Sequence, residues 1–163
     1  MGLFSSLRGI LISVSVTTLA GCGTMTAAPE SDLTYQQVHE VELSQGEIFE
    51  KAQEWLAITF VDSKEVVEVA SPDTGTIIGK GIVQISPTGI VGIPVRFTVR
   101  IDTKEGRYRS TYTNYVAYYG TARNQPVEVT DSRSAGQVNQ RIGDLDADLL
   151  RYLETSSATP DDW

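Results

Sequence analysis

The sequence predicts an α+β domain, an antiparallel sheet with two helices packed on one face. Three observations predict it. Apolar residues recur every three or four positions in two windows, 48–60 and 138–153, the period of an amphipathic helix. Between those windows the period drops to two, most cleanly at Val95, Phe97, Val99 and Ile101. The connections between successive strands are short and carry Pro, Gly and Asp. Parallel crossovers need a dozen or more residues, so the four middle strands form an antiparallel meander. Both helices then cover one sheet face and the other stays polar.

Residues 1–21 precede that domain and have the layout of a secretory leader. Arg8 lies near the start, residues 9–18 are mostly apolar without charge, and small residues close the segment. A membrane span needs ~20 apolar residues, about twice this run. Leu19-Ala20-Gly21-Cys22 resembles the lipobox of bacterial lipoproteins. Small Ala20 and Gly21 let a peptidase reach the bond, and the Cys22 thiol takes a diacylglyceryl group, with an N-acyl chain on the new amino terminus. Two or more acyl chains give stable anchoring. Gly23 in place of Asp after the cysteine resembles a pass to the outer membrane. The expected location is therefore the cell envelope, lipid-anchored at the outer membrane and facing the periplasm.

Cys22 is the sole cysteine, so the domain has no disulfide and stands on its core. Net charge is −8. That balance disfavours nonspecific contact with nucleic acid. Residues 22–32 read as a flexible tether with one proline and no apolar period. The domain is expected over 33–155, with 156–163 as a tail.

Within 33–155, Leu33, Tyr35, Val38 and Val41 suggest a first strand. Ser44-Gln45-Gly46-Glu47 has capping-box spacing. Ile48, Phe49, Ala52, Trp55, Leu56 and Phe60 follow as the apolar face of a helix. Residues 64–70 form a strand and Ser71-Pro72-Asp73-Thr74-Gly75 a turn. Residues 76–86 form the next strand, with Ile77, Gly79, Gly81, Val83 and Ile85 on one face. Glycine there implies close approach of a packed neighbour, the expected visitor being the long helix. Val95 onward alternates against Arg96, Thr98, Arg100 and Asp102. A final strand over 107–119 is read with Tyr108, Tyr112, Val116 and Tyr118 inward, and Arg109, Thr111, Thr113 and Tyr115 outward. A two-residue Glu105-Gly106 turn delivers that register, although Glu suits positive φ poorly; a three-residue loop would shift it by one. Residues 120–131, with Pro126, read as a loop. Val138, Ile142, Leu145, Leu149 and Leu153 mark a second helix starting near Ser134.

Three stretches taken in order, 48–56, 73–81 and Gly106-Arg107-Tyr108-Arg109, resemble domain of unknown function 4468. The likeness spans roughly residues 35–115. It implies a TBP-like β-α-β-β-β-β-α fold, found in bacterial secreted proteins and lipoproteins. It implies no activity, and a fold name does not license DNA binding.

Residues that suggest chemistry weigh little. Asp73-Thr74-Gly75 spells the aspartic-protease triplet, but that chemistry needs two carboxylates sharing a proton and no second triplet exists. His39 is the only histidine, without a second ligand or triad partner at recognisable spacing. Gly79-Lys80-Gly81 lacks phosphate-loop spacing. No enzyme, metal or cofactor is expected. Arg96, Thr98, Arg100, Arg109, Thr111, Thr113 and Tyr115 are expected to share the helix-free sheet face, where Arg suits a carboxylate-rich or phosphate-bearing partner. The expected role is binding another envelope component there. The alternative is a small-ligand or lipid carrier, with a pocket of several hundred Å³ between helix and sheet, lined by Trp55 and tyrosines.

Overall fold

The computed structural model describes residues 26–60, 67–120 and 122–156. The expected leader, Leu19-Ala20-Gly21-Cys22 and the tail from 157 onward lie outside the described residues, as do residues 64–66 of the second expected strand.

The order of elements is β1 (Tyr35–Glu40), α1 (Gln45–Thr59), β2 (Val67–Ser71), β3 (Thr76–Ile85), β4 (Ile93–Lys104), β5 (Arg107–Tyr119), β6 (Gln125–Glu128) and α2 (Ser132–Ser156). The sheet is antiparallel throughout, in the order β1-β5-β4-β3-β2. The short connections make β2 to β5 a meander. β6 shares the outer edge of β5 with β1: β1 pairs with residues 107–112 and β6 with 116–119. Residues 120–131 therefore hold a strand where a loop is expected. Pro126 argued against one, yet an edge strand tolerates proline because its unpaired side needs no N–H.

α1 starts on the expected capping box. The Glu47 carboxylate accepts the Ser44 N–H at 2.9 Å, and Ser44 Oγ accepts the Glu47 N–H at 3.4 Å. Its buried residues are Ile48, Phe49, Ala52, Trp55 and Leu56. Each large side chain among them stabilises the fold by roughly 1.5–3 kcal/mol on burial. α2 begins two residues before the expected Ser134. Asp131 Oδ1 accepts the Ser134 N–H at 2.9 Å, which satisfies a first-turn donor that has no partner within the helix. Burial works against the Asp131 carboxyl, but the Ser134 backbone and hydroxyl outweigh it and hold it below its ordinary range.

Both helices pack on the same face of the sheet, against inward Ile77, Val83, Val95, Phe97, Val99, Ile101, Tyr108 and Tyr112. Gly81 admits the rings of Phe60 and Phe97: a Cβ built there would lie 2.8 Å from Phe60 and 2.5 Å from Phe97. The visitor is thus the residue capping α1 together with a cross-strand ring, not the body of the helix.

The expected tether is partly docked. Ala28 N–H donates to Thr130 O at 2.8 Å, and Ser132 N–H to Thr26 O at 3.1 Å. Asn139 Nδ2 donates to Asp32 O at 2.8 Å. Glu30–Leu33 form a 3-10 turn rather than the start of a strand. Residues 26–33 belong to the folded body, held by the start of α2.

The β4–β5 turn is the two-residue one, because Lys104 pairs with Arg107. Gly106 takes φ of 71° and Glu105 has no need of the left-handed region. The expected register holds as far as Thr113 and then slips. Arg96 faces Val116 and Thr98 faces Thr113, so Asn114 and Tyr115 together oppose Phe97. That is a β-bulge, and Asn114 supplies its left-handed backbone at φ of 58°. Beyond it every side chain changes face. Tyr115 and Ala117 turn inward, 4% and 1% exposed, while Val116 and Tyr118 turn outward. The expectation of Tyr115 on the outer face, and of Val116 and Tyr118 within, is corrected by this one extra residue.

Candidate functional site

The helix-free face consists of cross-strand rows. One runs Thr76, Asp102, Arg109, Val38; the next Ile78, Arg100, Thr111, Gln36; then Lys80, Thr98, Thr113; then Ile82, Arg96, Val116, Glu128. Six of the seven expected residues, Arg96, Thr98, Arg100, Arg109, Thr111 and Thr113, share this face. Tyr115 does not: its hydroxyl lies 3.0 Å from Asn139 Oδ1 and 3.2 Å from the Tyr112 carbonyl, beneath the sheet.

Asp102 organises one end of the face. Arg100 Nε donates to both its oxygens at 2.9 and 3.0 Å, Arg109 Nη2 donates at 2.8 Å, and Thr76 Oγ1 at 3.0 Å. Burial raises the Asp102 pKa, but these bonds and the Arg100 charge overcome it and hold it at about 2. The Asp102 side chain is only 16% exposed, whereas the guanidinium-bearing chains of Arg100 and Arg109 are 50% and 49% exposed. Two arginines share one carboxylate, so the cluster keeps positive charge. Arg96 lies 5.3 Å over the Tyr118 ring, a cation–π contact created by the bulge that turned Tyr118 outward. Asn114 Nδ2 donates to Thr98 Oγ1 and Thr111 Oγ1 to Gln36 Oε1, both at 3.3 Å. A cleft of about 180 Å³ opens beside Val38, Asp102, Lys104 and Arg109. It is smaller than the ~300–1,000 Å³ typical of small-molecule sites.

Between α2 and the sheet lies a second polar cluster that no short-range spacing in the sequence announces. Asp146, 1% exposed, projects from α2. Its Oδ2 lies 2.7 Å from His39 Nε2; its Oδ1 accepts from Ser110 Oγ at 2.5 Å and Tyr112 OH at 3.3 Å. Burial, and then the Asp146 carboxylate, push the Tyr112 phenol well above its ordinary range. Ser, His and Asp thus meet, but with the carboxylate in the middle. The hydroxyl donates to Asp146 and no imidazole nitrogen accepts from it, which is the wrong order for nucleophile activation. What this arrangement does is tie α2 to β1 and β5. Among the described residues, no group of three His, Cys, Asp or Glu side chains could hold a metal ion.

The expected pocket beside Trp55 is filled. Trp55, Tyr108 and Tyr112 are each no more than 1% exposed. Ring centroids run Trp55–Phe60 5.8 Å, Phe60–Phe97 5.9 Å and Phe97–Tyr112 5.7 Å, all edge to face. Trp55 Nε1 donates to Asp148 at 3.0 Å. A shallow groove of about 460 Å³ between β3 and α2 has other walls: Val83, Gln84, Arg141, Asp144, Leu145 and Asp148. Asp73-Thr74-Gly75 is a turn, with Gly75 at φ of 62° and Thr74 Oγ1 on the Ser71 carbonyl.

Comparison with known proteins agrees with this architecture. The family described as a domain of unknown function (DUF4468) with TBP-like fold matches residues 35–118. The chain belongs to that family. A crystal structure of a TBP-like protein from Parabacteroides distasonis ATCC 8503 superposes with a TM-score of 0.62 at 17% identity, covering 74% of this chain and 91% of that one. A DUF4468 family protein from Bacteroides ovatus ATCC 8483 gives 0.54 at 12% identity, covering 80% and 88%. At such identities the likeness establishes the TBP-like fold alone. No curated protein matches the chain. The matched span of this DUF4468 domain ends at Tyr118 and so leaves out β6 and α2.

Proposed function

We propose that this DUF4468 protein is a lipid-anchored module of the cell envelope, held at the outer membrane through Cys22 and facing the periplasm. It binds an acidic envelope protein through the helix-free face of its sheet and carries out no catalysis. The observation that supports this reading is the face itself. Arg100 and Arg109 are pinned by Asp102 with half of each side chain still exposed, and Arg96 is set over Tyr118. Guanidinium groups already fixed in place lose less freedom when a carboxylate docks, so more of the contact energy appears as affinity.

The test separates anchor from face. Arg96→Glu leaves the Asp102 cluster whole, and should keep the fold while abolishing recovery of the cross-linked partner from intact envelopes. Unchanged recovery would sink the binding face. Cys22→Ser should abolish acyl labelling, and continued labelling would remove the anchor while leaving the face standing.

A further inference from the structure

Among the described residues the sheet has three exposed edges, and two of them are blunted. β2 carries a register shift between Val67 and Val69, a bulge of the kind that twists an edge away from a pairing strand. β6 contains Pro126, which cannot donate. β1 has neither device. Its sequence, Tyr35-Gln36-Gln37-Val38-His39-Glu40, holds no Pro and no Lys, and it pairs with β5 through six successive residues without a shift. Unprotected edges of this kind are templates for another strand.

The free side of β1 can be assigned residue by residue. Val41 N–H donates to Gly106 O. In an antiparallel ladder alternate residues direct both backbone groups to the same neighbour, so Tyr35, Gln37 and His39 turn theirs to β5. On the opposite edge of β5's partner β4, Thr103 N–H donates to Gly75 O, which fixes the same phase across the sheet. Gln36, Val38 and Glu40 therefore present their N–H and C=O outward. Their side chains lie on the helix-free face, as the Thr111 bond to Gln36 Oε1 requires, and Val38 is 57% exposed.

We propose that the edge of β1 pairs with β1 of a second copy, about a two-fold axis at Val38. Antiparallel pairing centred there sets Val38 against Val38, and Gln36 against Glu40 in both directions. The segment is self-complementary: an apolar contact at the axis, an amide donor facing a carboxylate on either side, and no like charges opposed. The three outward residues of each strand make about six backbone hydrogen bonds. The axis of such a pair stands perpendicular to the sheet, so the two sheets join into one and their helix-free faces look the same way. The inference stands apart from the anchor and the partner, since it needs neither.

The experiment uses the full chain in detergent. Sedimentation should give a dimer. Val38→Lys sets two ammonium groups against each other at the axis and should weaken the dimer about tenfold or more, with the circular dichroism of the monomer unchanged. Val38→Cys should cross-link, because a hydrogen-bonded pair places its Cα atoms ~5.5 Å apart, within disulfide reach. Gln36→Cys alone should not, since its copies lie roughly 14 Å apart in this register. Mass mapping of the joined peptides separates these links from any made by Cys22. A monomer at tens of micromolar overturns the proposal, and so does self-linking of Gln36→Cys as readily as Val38→Cys. Linking of Val38→Cys to a different envelope protein, with the chain monomeric by itself, also overturns it and assigns the edge to a heterologous strand.

Discussion

Asp102 and Asp146 sit on opposite faces of one sheet, and each collects hydrogen bonds from several elements. Asp102 gathers charged donors from β4 and β5 and a hydroxyl from β3, beside side chains half in water. Asp146 gathers an imidazole from β1 and two hydroxyls from β5, and its side chain is 2% exposed. The difference teaches which cluster holds the fold and which is available to a partner. Water can solvate the arginines if Asp102 is lost. Nothing replaces Asp146 for the buried hydroxyls of Ser110 and Tyr112, because an unmet buried polar group costs its full desolvation, whereas His39 is half-buried and reaches water.

The largest effect is therefore expected at the inner cluster. Asp146→Ala should lower unfolding stability by about 3 kcal/mol, since it strands the Ser110 and Tyr112 hydroxyls in a dry interior and removes the partner of His39. Urea unfolding would read this as a lower midpoint at unchanged slope. A loss as small as that of Asp102→Ala would mean that water reaches the inner cluster and that the contrast is false.

Two neighbouring tyrosines sharpen the same contrast. Tyr112 donates to Asp146, whereas the Tyr108 hydroxyl, on a residue 1% exposed, has no partner among the described residues. Tyr112→Phe should cost about 1 kcal/mol, and Tyr108→Phe should be neutral or stabilise by up to about 1 kcal/mol. A loss at Tyr108→Phe equal to that at Tyr112→Phe would show that the Tyr108 hydroxyl is satisfied after all.

How much of this was legible divides along the range of the interactions. The capping box, the face of α1 and the meander were readable because each depends on residues a few positions apart. The inward turn of Tyr115 was not, since hydrophobic alternation carries no sign of an inserted residue. Asn114 was the available signal, being a residue type that tolerates the left-handed region. β6 was not legible because a short polar stretch with Pro126 reads as a loop, although an edge strand admits proline. The Asp146 cluster depends on His39, 107 residues away. Even so, the spacing of Val138, Ile142, Asp146, Leu149 and Leu153 places Asp146 on the buried stripe of α2, where Leu145 had been expected. A carboxylate on an apolar stripe demands donors, and the sole histidine and a serine inside a tyrosine-rich strand were the candidates. On the outer face the arginines were legible, but their restraint by Asp102 was not: cross-strand partners depend on register, which the sequence specified only through the turn.

The smallest effect belongs to the outer cluster, and it carries a distinctive pH signature. The folded-state pKa of Asp102 is lowered from 3.8 to about 2. A depressed carboxyl contributes stability above its unfolded pKa and loses that contribution as pH falls through its folded pKa. Comparing the chain with Asp102→Asn, the difference in unfolding free energy should be of order 1 kcal/mol or less near neutral pH, after allowing for solvent screening. It should decline from about pH 4 and be mostly gone near about pH 2. Salt at about 1 M, where the Debye length is ~3 Å, should shrink the same difference at neutral pH while leaving the Asp146→Ala loss nearly intact. If salt and acid affected both variants alike, the two carboxylates would share one environment, and the outer arginines would be tied into the fold as firmly as Asp146 is. Independence of the two effects would instead leave Arg100 and Arg109 free to turn their exposed edges to a partner.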